Sequence, residues 1–157
     1  MKRITTIITL LLFTTSIVFA QSNKEEIELY QSIFGMEKKA AVEEFVTLDG
    51  DAGKRFWELY DKYEEARKLH GQKRLALLEK YVDNYLELDD ESTKALMKEM
   101  ISLGDEYNKL IKKYHKSIGK ACGAKAAGQF YQLETYFQSA IRMTLMEEIP
   151  FIGELDD

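Results

Sequence analysis

Two histidines, His70 and His115, one cysteine, Cys122, and several adjacent acid pairs are the side chains of this 157-residue chain whose types could do chemistry. Imidazole suits nickel, copper and zinc, so His70 and His115 are the candidate metal ligands, with Asp61, Glu64 or Glu65 able to assist His115. If two helices fold back on each other near Asp89-Asp90, residue 70 lies opposite about residue 110. His115 then sits about 7–8 Å further along the rod, too far for joint ligation without a bend. The competing reading is two polar helix residues at or beside a seam, and no firm metal site or cofactor is expected. A lone cysteine excludes an internal disulfide and leaves an intermolecular bond, a reactive thiol or a small residue packed at a helix junction. The pairs Glu25-Glu26, Glu43-Glu44, Glu64-Glu65 and Glu147-Glu148 do not converge on one substrate atom, because adjacent helical positions do not face each other. No Gly-x-Ser-x-Gly elbow, phosphate-binding glycine loop or His-Glu-x-x-His helix occurs. The expectation is a protein that is not an enzyme.

The aromatic residues point to binding. Tyrosine gives large contact area at low entropic cost, and interspersed cations limit tight adhesion. A surface of Tyr60, Tyr63, Arg67, Arg74, Tyr107 and Tyr114, with Lys73, Lys112 and Lys113 nearby, could hold nonnative chains loosely. The alternative places these rings inside a helix or dimer interface. Met97, Met100, Met143 and Met146 could likewise serve as soft ligands or an adaptable surface, but their helical spacing is more simply read as core filling.

The elements that must position these groups begin with a targeting segment. Lys2 and Arg3 precede an apolar, Thr-rich run from Ile4 to Phe19 that closes in Val18-Phe19-Ala20. A basic start, a short greasy core and a small residue at the cut describe a secretory signal peptide. The run is shorter than the roughly 20 apolar residues that span a bilayer. The expected products are residues 1–20 as signal and 21–157 as one mature domain, periplasmic or secreted, with no membrane insertion after cleavage. No cysteine follows Ala20, so a lipid anchor is not indicated. Without Lys2 and Arg3, 20 basic residues face 27 acids, a net charge of −7. That balance argues against nucleic acid as a partner, since phosphate binding requires a basic surface.

The one proline is Pro150, and strand signals are absent, so the class is all-α. A first segment from about Lys24 to Val46 sets Ile27, Tyr30, Phe34, Ala41 and Phe45 near one face, with Gly35 weakening its middle. A second, long helix starts at the N-cap candidate Asp49 and carries Phe56, Tyr60, Tyr63, Leu77, Tyr81, Tyr85 and Leu88 at three-and-four spacing. About forty residues would make a rod near 60 Å, with Gly71 a plausible bend and Arg67, His70 and Arg74 making the seam polar in its middle. Leu88-Asp89-Asp90-Glu91 reads as a tight turn into a third helix whose apolar face runs from Leu96 to Ala121, giving an antiparallel hairpin. A glycine-loosened junction leads to a fourth helix, about Ala124 to Ile149, buried along Phe130, Leu133, Phe137, Ala140, Ile141 and Leu145 and stopped by Pro150. A hairpin alone has little core, so a second copy would usefully cover its apolar stripes.

Leu48-Asp49-Gly50-Asp51-Ala52, followed by Phe56-Trp57-Glu58-Leu59-Tyr60-Asp61-Lys62-Tyr63, resembles the Leu-Thr-x-x-Gln box and Phe-Trp-x-x-Tyr-x-x-Tyr run of the Spy/CpxP-like superfamily. Asp49 stands where the box has Thr, and Ala52 where it has Gln. Phe130, Gln132, Leu133 and Glu134, followed by Pro150, are similar to the last helix of secreted members of that group. The resemblance implies a bent helical hairpin with flanking helices, paired as a cradle-shaped homodimer. It also implies an ATP-independent chaperone or envelope-stress protein that binds nonnative envelope proteins. Two alternatives stay open: a periplasmic metal- or stress-sensing domain signalling to a membrane partner, and a structural helical dimer that binds one folded partner.

Overall fold

The computed structural model describes residues 36–155. The expected signal peptide, the cut after Ala20 and the residues Ile27, Tyr30, Phe34 and Gly35 lie outside them. The chain divides into two compact units, Met1–Ala41 and Val42–Asp157. Residues 36–45 are helical (α1), and the second unit holds α2 (Gly50–Asp83), α3 (Asp90–Cys122) and α4 (Ala124–Glu148), with a short 3-10 turn at Tyr85–Glu87. No strand occurs among the described residues, as the all-α reading expects.

The second unit is an antiparallel α2–α3 hairpin onto which α4 folds back. At 1.5 Å per residue α2 is about 50 Å long. It ends a turn short of the expected rod, because the chain tightens into the 3-10 turn before Leu88. The helix is uninterrupted at Gly71. Asp89 starts α3 through a reciprocal cap: its carboxylate accepts from the Ser92 amide at 2.8 Å, and its own amide donates to Ser92 Oγ at 2.9 Å. Asp49 occupies the N-cap position of α2, as expected, although its side chain makes no capping bond. The entry is instead set by glycine. Gly50 has a φ of +60°, and a Cβ on Gly53 would collide with the Leu48 carbonyl oxygen.

Gly123, with a φ of +94°, is the entire connection between α3 and α4. So short a link forces α4 back along α3, and Gly119 lets the Ala127 methyl approach to van der Waals distance of its own missing Cβ. The α2 seam is buried as its spacing predicts: Phe56, Tyr60, Tyr63, Leu77 and Tyr81 all point inward, and so does Tyr85 in the 3-10 turn that follows. Toward the Gly123 end these rings join Ile111, Tyr114, Ile118, Ala126, Ala127 and Phe130 in one core, which Val42 and Val46 also enter. Phe45, expected on that face, is exposed instead. At the hairpin end Leu77, Tyr81, Tyr85 and Leu96 form a second, separate core.

Candidate functional site

The main core is unusually aromatic. Tyr63 packs edge-on to Phe130 at 5.0 Å and to Tyr114 at 5.4 Å, while Phe56 stacks on Tyr60 at 6.0 Å and meets Trp57 edge-on at 5.1 Å. Offset and edge-to-face rings of this kind add to the stabilisation from area burial alone. Tyr60, Tyr63 and Tyr114 therefore fill the seam, as the reading that places these rings in a helix interface expects, and the possible client surface loses those three positions. The motif residues divide likewise: Phe56, Tyr60, Tyr63, Phe130 and Glu134 are buried, Leu48, Trp57, Leu133 and Pro150 are half-buried, and Asp49 and Gln132 face outward.

Polar groups occupy the seam as the main core runs out. Tyr63 donates a 2.6 Å hydrogen bond to Glu134 Oε2, and the Tyr63 and Tyr107 hydroxyls lie 3.3 Å apart. Burial, followed by the Glu134 charge, pushes the Tyr63 phenol well above its ordinary range, and burial does the same to Tyr60 and Tyr107. Arg67 Nε lies 3.0 Å from both oxygens of Glu64, and both side chains are largely shielded from water. Burial pulls that guanidinium down, but Glu64, followed by Tyr107 and Tyr63, together more than offset it and the net shift is upward. Arg74 shifts the other way, lowered by burial and then by Arg142.

His70 Nε2 donates to the Leu103 carbonyl at 2.8 Å, and its ring lies 4.9 Å from that of Tyr107. That nitrogen is therefore committed to the α2–α3 contact. His115 is exposed against Tyr131, with ring centroids 5.7 Å apart. The structure does not bring the two histidines together, and Glu64, one of the three candidate helpers of His115, is held by Arg67. Among the described residues no three His, Cys, Asp or Glu side chains are grouped to hold a metal ion. Cys122 closes α3 and donates from Sγ to the Ala52 carbonyl at 3.4 Å, and burial raises its thiol pKa. A raised thiol is a poorer nucleophile, which fits the packed-junction reading.

The methionines depart from the core-filling expectation. Met97, Met143 and Met146 are exposed, and Met100 alone packs against the hairpin-end core. With Leu69, Ile101 and Tyr136 they place large apolar side chains on the outer helix faces, among charged neighbours. The sequence offers these methionines as an adaptable surface as well as core filling, and their spacing favours the core only because it does not tell which side of a helix a neighbour covers. No described helix is long and apolar enough to cross a membrane. The chain matches no family model, no curated protein and no solved structure. The Spy/CpxP-like resemblance therefore stands on the residues that carry it.

Proposed function

We propose that this protein is an exported, ATP-independent chaperone-like or envelope-stress protein in the Spy/CpxP-like mould, which holds nonnative proteins by transient contact. The observation that carries the reading is the outer-face pattern of exposed Leu69, Met97, Ile101, Tyr136, Met143 and Met146 set among lysines, arginines and acids on long helices. Contiguous exposed apolar side chains mark interaction surfaces, and Met97 with Ile101, and Met143 with Met146, are neighbours at four- and three-residue spacing on their helices. Methionine's flexible thioether adapts to clients of differing shape, and the surrounding charge keeps contacts reversible. Client binding thus falls to these outer residues, while the buried tyrosines hold the scaffold that presents them.

Aggregation of a chemically denatured client, followed by light scattering without ATP, tests the reading. Suppression at near-stoichiometric amounts is expected, with weaker suppression from the double variants Met97→Ser/Ile101→Ser and Tyr136→Ser/Met143→Ser. No suppression at large excess sinks it. The paired cradle belongs to the same proposal, and sedimentation velocity should find a dimer; a monomer at all concentrations removes that part.

A further inference from the structure

The last residues of the described chain return to the tip of the α2–α3 hairpin. The Tyr81 hydroxyl donates to the Pro150 carbonyl at 2.7 Å, and the Tyr85 hydroxyl donates to the Phe151 carbonyl at 2.6 Å. The same Tyr85 oxygen accepts from the Leu155 amide at 3.1 Å, so one phenol clasps both ends of a short turn. Within that turn the Phe151 amide donates to Glu154 Oε2 at 2.7 Å.

This clasp brings together two stretches with the same unusual chemistry. From Tyr81 to Thr93 the chain carries Asp83, Glu87, Asp89, Asp90 and Glu91 and no Lys or Arg, between Lys80, which Glu99 pairs at 2.9 Å, and Lys94. From Glu147 to Leu155 it carries Glu147, Glu148 and Glu154, again with no Lys or Arg. The same two stretches leave large apolar side chains in water: Val82 and Leu86 on the hairpin, and Phe151, Ile152 and Leu155 on the turn. Leu86 is 81% exposed and Phe151 59% exposed, next to the tyrosine and the proline through which the two stretches are joined. An apolar patch with a rim of a single sign selects its partner by charge, because opposite charge speeds encounter and like charge repels. An acidic rim turns away nucleic acid and anionic membranes and favours cationic side chains.

We infer that the hairpin tip, clasped to the C-terminal turn through Tyr81 and Tyr85, is a docking surface for a cationic amphipathic segment of another protein. The apolar side of that segment covers Leu86, Phe151 and their neighbours, and its lysines or arginines meet the acidic rim. This surface is distinct from the outer α3 and α4 faces of the proposed function and does not depend on that reading.

The probe is a fluorescent amphipathic helix of leucine and lysine, about five turns long, with its leucine–glutamate counterpart as control. Fluorescence anisotropy with the full chain should find saturable binding of the lysine peptide only, weakened by salt. Leu86→Ser, Phe151→Ser and Glu87→Lys should each weaken binding at least about fivefold, while Tyr136→Ser and Met143→Ser on α4 leave it unchanged. All five positions are exposed, so helicity by circular dichroism should match the parent in each variant. Equal binding of both peptides, or tip variants that bind like the parent, overturns the inference. A loss confined to the α4 variants also overturns it, while leaving the chaperone reading intact.

Discussion

Tyr63 and Glu134, 71 residues apart in the chain, are joined by a buried 2.6 Å hydrogen bond that ties α2 to α4. α4 follows α3 through a single glycine, so this bond fixes where the returning helix rests against the first arm of the hairpin. Tyr63→Phe removes the donor and leaves a buried carboxylate oxygen without it, which costs about 1–3 kcal/mol. Urea unfolding followed by circular dichroism should show a lowered midpoint with an unchanged slope. A midpoint equal to the parent would mean that the bond adds nothing to the fold.

Alkali should attack the same cluster. Tyr60 and Tyr63 are held above the ordinary phenol value of 10.0 by burial and then by neighbouring carboxylates. Each raised group stabilises the fold fully below pH 10, and the stabilisation is lost as pH climbs above it, because the unfolded chain then releases a proton that the folded chain keeps. The slope is about 1.4 kcal/mol per pH unit for each tyrosine. Thermal melts between pH 8 and 11.5 should be flat to about pH 10 and fall steeply beyond, more gently in Tyr63→Phe after its lower starting point. A flat profile through this window would show that these phenols titrate normally.

Most of the architecture is legible in the residues. The three-and-four spacing from Phe56 to Tyr85 marks the buried seam, Pro150 and Gly123 mark the ends of α4, and Leu88-Asp89-Asp90-Glu91 marks the turn into α3. These are local signals, and local physics decides them. Spacing could not choose between Phe45 and the pair Val42 and Val46, because which face turns inward depends on what packs there. Nor could it say that Glu134 would be buried beneath Tyr63, or that Met143 would face water, since both follow from where α4 lies across the hairpin. The clasp of Tyr85 on the C-terminal turn joins residues 66 and 70 positions apart and leaves no pattern in sequence.

Two glycines on helices should respond oppositely to alanine. At Gly53 a methyl would strike the Leu48 carbonyl oxygen, a backbone group that cannot swing aside. At Gly128 the same methyl meets nothing within 4 Å. Gly53→Ala should therefore destabilise by about 1–3 kcal/mol, and Gly128→Ala should stabilise by about 0.5–1 kcal/mol. Denaturant midpoints of the two variants measure both. A stabilised Gly53→Ala would show that the close approach at the start of α2 is not needed.

The cap of α3 should be sensitive to acid. Hydrogen bonds from the Ser92 hydroxyl and amide hold the Asp89 carboxyl below the usual carboxylate range. A lowered pKa means stabilisation that is present above the unfolded value and lost as pH falls through the folded one. Asp89→Ala should lower Tm at neutral pH, and its deficit should shrink as the pH falls below the lowered folded value, where the parent loses its charge as well. Asp89→Asn keeps a capping oxygen without a titrating charge, so it should keep more of the neutral-pH stability. A deficit for Asp89→Ala that stays constant with pH would assign the effect to helix propensity.

Tyr85→Phe tests the clasp at its centre. The substitution removes the donor to Phe151 and the acceptor of the Leu155 amide together, while the ring that packs against Tyr81 at 5.6 Å stays in place. The hairpin-end core should therefore remain, and the loss should be confined to the turn. Hydrogen exchange should be faster at the Leu155 amide and little changed at amides in the middle of α2 and α3. Two part-buried bonds lost cost about 1–3 kcal/mol of local opening energy, a rate increase of roughly five- to 150-fold when exchange follows that opening. Protection at Leu155 equal to the parent would show that the turn is held by its own Phe151–Glu154 bond and that Tyr85 only lies beside it.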